Sequence, residues 1–106
     1  MPYIFVTTWY PSHKVTEVVK VYLEMLKKFP VDESLVETII TAAVNTGCEG
    51  IKSLAVTKVK EGKLEEALTR TGTQMAMFHG VEGFEYSVEI WSTVEEAMAM
   101  IGKSMP

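Results

Sequence analysis

The segment Tyr3–Tyr10 (YIFVTTWY) constrains this chain more than any other part of it. Every residue in it is aromatic or β-branched, which favours extended backbone. Alternation puts Ile4, Val6 and Thr8 on one face and Tyr3, Phe5 and Trp9 on the other. Both faces are largely apolar, the pattern of a strand covered on two sides. Pro11 ends the run, and Ser12 is placed to cap a following helix.

From His13 to Phe29 the apolar positions Val15, Val18, Val19, Tyr22, Leu26 and Phe29 recur at helical spacing, and Pro30 stops the pattern. Residues 35–46 (LVETIITAAVNT) support two readings. Their apolar positions fit a helical stripe, whereas their Thr and β-branched content favours a strand. The strand is preferred because Gly47-Cys48-Glu49-Gly50 reads as a hairpin turn leading into a second extended run, Ile51–Lys60. Leu64, Ala67, Leu68, Thr71, Met75 and Phe78 then mark a second amphipathic helix, ending near His79-Gly80. Phe84–Trp91 alternates cleanly, with Phe84, Tyr86, Val88 and Ile90 against Glu85, Ser87, Glu89 and Trp91. Ser92 or Thr93 caps a short last helix, with Glu95 and Glu96 in its first turn. Ala97, Met98 and Ile101 would bury that helix, and Gly102 ends it. The order β-α-β-β-α-β predicts an α+β, ferredoxin-like fold: a four-stranded antiparallel sheet, two helices on one face and a short C-terminal helix.

Composition narrows the function classes. At 106 residues and 11.8 kDa the chain is read as one domain, 1–106. Ten basic residues against fourteen acidic ones leave a net charge of −4. That balance argues against nucleic acid and against anionic lipid as partners. Cys48 is the only cysteine, which excludes an intrachain disulfide and a multi-cysteine metal site. The longest uncharged stretch is the first 13 residues, short of the roughly 20 that span a bilayer. No signal-peptide pattern is present, so the expectation is a soluble, cytoplasmic protein. Arg70 is the only arginine, and so the only side chain able to fork onto a carboxylate or phosphate.

One layer of helices leaves one sheet face open, and on that face Tyr3, Phe5 and Trp9 call for a cover. A second copy packing sheet to sheet supplies it. In element order and length the chain resembles the dimeric α/β-barrel group of ferredoxin-like proteins, which includes small monooxygenases and stress-responsive barrel proteins. The resemblance rests on pattern across nearly the whole chain, without a signature motif. It implies a homodimer with ligand pockets between the sheet and helices of each subunit. Mapped onto this sequence, the inner face brings Thr7, Trp9, Glu85, Glu89 and Trp91 together as ligand-binding candidates. The bland alternative is that Glu85 and Glu89 pair with Lys52 or Lys58 or face water. Heme-degrading members of the group carry an axial histidine near the position of His79. They also carry a first-strand asparagine where this chain has Thr7 and Thr8, so no cofactor is expected.

His79 is the residue best suited to proton transfer, since only histidine titrates unperturbed near neutrality. Its place at a helix C-terminus is also simply favourable to the helix dipole. His13 reads as a surface residue. Cys48 has no adjoining base except Lys52, and Met75, Met77, Met98 and Met100 form a soft stripe more often used as core filler. The expected function is a homodimeric barrel binding a small apolar molecule. Its enzymatic version is a cofactor-free oxygenase or isomerase using His79 and Glu85; the alternative is a non-enzymatic oligomerisation module.

Overall fold

A computed structural model of the chain describes residues 1–103. In chain order it holds β1 (Tyr3–Tyr10), α1 (Val15–Lys28), β2 (Val36–Gly47), β3 (Gly50–Val59), α2 (Leu64–Ala76), β4 (Glu85–Trp91) and α3 (Val94–Met100). The four strands form one antiparallel sheet in the order β2-β3-β1-β4. This is the ferredoxin-like arrangement, and the ambiguous segment is a strand. The hairpin explains why: Gly47 pairs with Gly50, and Gly50 takes φ 115°, a backbone shape open to glycine alone at little cost. A Cβ on Gly50 would stand 2.7 Å from the Tyr10 carbonyl oxygen, so the hairpin also closes tightly onto the end of β1.

Register fixes which side chains share a face. β1 pairs Ile4, Val6 and Thr8 with Thr57, Ala55 and Ser53 of β3 and with Ile90, Val88 and Tyr86 of β4. These face the helices. The buried core there forms two clusters: Val18, Met25, Met75, Phe78 and Val81 in one, and Ile4, Val59 and Ala67 in the other. Val6 and Val88 touch both. Ile4 and Val59 lie at 1% and 0% exposure, and each contributes about 1.5–3 kcal/mol by leaving water.

Several local expectations need correction. Ser12 caps nothing: residues Ser12–Lys14 form a 3₁₀ turn, and the following helix starts at Val15 without a side-chain cap. The inner stripe of α1 is Val18 and Met25, helped by Val21, Tyr22 and Phe29, while Val19 and Leu26 are 46% and 37% exposed. The helix is rolled toward β4 and α2, away from β2. α2 stops at Ala76, so His79 belongs to the turn after it. The final helix has its capping box, Thr93 with Glu96, but buries nothing. Ala97 is exposed and Ile101 is 72% exposed, because a seven-residue helix offers too little surface to dock. No helix among the described residues is long and apolar enough to cross a membrane.

Candidate functional site

Small residues decide where the interior stays unfilled. Thr38, Ala55 and Thr57 on the sheet and Ala67 and Thr71 on α2 all point between sheet and helices. The inner stripe of α1 packs toward β4 and α2, so this side stays underfilled. The result is a cavity of about 330 Å³, in the range of small-molecule sites. It is lined by members of both core clusters, Ile4, Ala67, Val18 and Met75 among them, and opens past Val19, Leu26 and the bare inner side of β2.

Its lining is mostly apolar, with hydroxyls spread along the strands and two charged side chains, Arg70 and Asp32. Arg70 projects from α2; it donates to the Pro30 carbonyl at 2.5 Å and lies over the Phe29 ring, 5.5 Å from its centre. Asp32 stands nearby but turns to Ser34, accepting from its backbone N–H at 3.0 Å and its hydroxyl at 2.5 Å. These hydrogen bonds, and more weakly the nearby Arg70 and Lys63 charges, hold the Asp32 carboxyl below the usual carboxylate range. At the opposite end, burial pushes the Tyr10 phenol above its ordinary value, so it remains a neutral hydroxyl at pH 7. Thr8 and Ser53 share a hydrogen bond on the cavity floor.

The residues singled out by sequence lie elsewhere. Thr7, Trp9, Glu85, Glu89 and Trp91 do share one face, the open one, but as a stripe rather than a cluster. Trp9 sits opposite Glu85, Phe5 opposite Glu89, and Tyr3 opposite Trp91. Glu85 and Trp91 are six residues apart along one strand, about 20 Å. None of the five lines the cavity. Glu85 and Glu89 form no ion pair among the described residues; Lys52 and Lys58 instead lie over the rings of Trp9 and Tyr3. His79 shares a 2.8 Å hydrogen bond with the Tyr86 hydroxyl and stacks on its ring. Tyr86 points to the helix side, so His79 and Glu85 are on opposite faces of the sheet and cannot work on one substrate atom. Cys48 is exposed at the hairpin tip. Met75 lines the cavity while Met100 is 76% exposed, so no continuous methionine stripe forms. Among the described residues no group of three or more His, Cys, Asp or Glu is placed to hold a metal ion.

The cavity residues missed by the sequence reading left one signal: small side chains recurring at helix-facing positions of β2, β3 and α2. Compared with known proteins, the chain matches no family model, no curated protein and no solved structure.

Proposed function

We propose that the protein is a homodimer of the dimeric α/β-barrel kind that binds one small, mostly apolar molecule per subunit. The observation that carries the binding is the apolar cavity of about 330 Å³ between helices and sheet. Its described lining holds neither histidine nor glutamate, so it supports binding more directly than proton-transfer chemistry. The enzymatic version therefore has no acid–base pair assigned to it.

The dimer is supported by the open face. Trp9 and Trp91 are 39% and 51% exposed on it, with Phe5 stacked on Trp91 at 5.0 Å, while Thr7 and Val56 in its middle are already buried. Lys52 and Lys58 stand on the β3 side of this face, and Glu85 and Glu89 on the β4 side. Such a face is self-complementary. A two-fold axis along the strands sets the lysine side of one copy toward the glutamate side of the other.

Native mass spectrometry should give twice the 11.8 kDa chain mass. Calorimetry should show 1-octanol uptake at one site per subunit. Trp9→Glu, which puts a charge in the middle of the face, should give monomer at the same concentration. A wild-type monomer rejects the dimer, and absence of octanol uptake rejects the pocket.

A further inference from the structure

The cavity is mostly apolar, with scattered hydroxyls, and Arg70, the molecule's only arginine, is the one cationic side chain in its described lining. That asymmetry goes beyond a generic apolar site. Arg70 is half-buried and lies between two hollows: the inner cavity, and a shallow outer one lined by Phe29, Leu35, Glu65, Glu66, Thr69 and Thr73. Only one of its contacts is a hydrogen bond, to the Pro30 carbonyl, and the guanidinium has five N–H donors. It forms no ion pair among the described residues. The nearest carboxylates are otherwise engaged or face outward. Asp32 accepts from Ser34 through Oδ1 alone and lies close enough to feel the Arg70 charge without forming an ion pair, Glu66 pairs with Lys63 at 3.6 Å, and Glu65 lines the outer hollow.

A guanidinium kept unpaired in the lining of a mostly apolar cavity is poised for an anion whose remainder is apolar. Its planar fork fits a carboxylate at two points. The stack on Phe29 and the bond to Pro30 fix its position, so little side-chain freedom is lost on binding. We infer that the pocket takes a small amphipathic carboxylic acid, with its carboxylate on Arg70 and its apolar chain directed inward toward Met75 and Ile4. At roughly 30 Å³ per water-sized group, the cavity has room for about ten non-hydrogen atoms. This inference rests on the pocket proposed above and adds the ligand class.

Octanoate, 1-octanol and octylamine, matched in chain length, separate the possibilities when titrated by calorimetry at pH 8 into wild type and Arg70→Gln. An apolar site without a cation prefers the alcohol, because a carboxylate loses more hydration on entering. The expected result is octanoate binding at least about tenfold tighter than 1-octanol, with that preference abolished in Arg70→Gln. Retained 1-octanol binding shows that the variant is folded. Equal binding of acid and alcohol overturns the inference while leaving the pocket intact, and so does a preference for octanoate that survives the substitution. Tightest binding of octylamine also overturns it, in favour of Asp32 as the polar anchor. Binding of none of the three removes the pocket itself.

Discussion

β1 (YIFVTTWY) and β2 (VETIITAAVNTG) are both rich in Thr, Val and Ile, yet Ile4 is 1% exposed and Val44 is 62% exposed. β1 lies between two strands and beneath the helices; β2 has one neighbour and, past Val36, is exposed along its whole length. Residue type alone therefore does not tell a core strand from a bare one. Place in the sheet order does, because it determines how many faces and edges find a cover. The contrast also locates the functional feature: the cavity opens on the side where α1 fails to cover β2.

The sharpest test of the contrast is the deep position. Ile4→Ala removes a side chain packed against Val59 and Ala67, and should cost about 2–5 kcal/mol in denaturant unfolding. A loss below 1 kcal/mol would mean that β1 is not the core strand. The junction between the two strands comes next. Gly50→Ala forces a Cβ against the Tyr10 carbonyl oxygen at a φ of 115°, and should cost about 1–3 kcal/mol, read as a lower thermal midpoint. An unchanged midpoint would show that the hairpin does not lean on β1. The smallest effect is expected on β2 itself. At dilutions where subunits are apart, Val44→Ala should change stability by less than about 0.5 kcal/mol. A loss that grows with protein concentration would show that a second copy covers β2 on its helix side, which weakens the contrast and points to a contact other than the proposed sheet-to-sheet dimer.

The fold was legible because its strongest signals are local and agree with one another. The two-faced β1, the alternation through Phe84–Trp91 and the Gly47–Gly50 turn each permit few alternatives. Even for residues 35–46, where helical spacing competed, the turn decided the outcome, since a hairpin needs two strands. The site was less legible. Aromatic and charged residues draw attention, and they led to the open face. The cavity is made of what is missing, small side chains at Ala55, Thr57, Ala67 and Thr71 together with a rolled helix. The roll of α1 is not written in its own periodicity: Val19 and Leu26 fit the stripe as well as Val18 does. Arg70 was marked as unique by composition, but only the tertiary structure joins it to the pocket.

The irregular pairing of β2 has a consequence for how the protein keeps in solution. Its register with β3 shifts between Thr38 and Ile40 and again between Ile40 and Ala43. The stretch from Thr38 to Asn45 carries no charge, and its outer side has no neighbouring strand. A straight edge of that composition is a template on which chain after chain can stack into fibrils. Bulges kink and twist such an edge, so an incoming strand loses alignment within a few residues. The two kinks thus work against edge-to-edge stacking of copies, and straightening them should raise the tendency of a stored solution to gel.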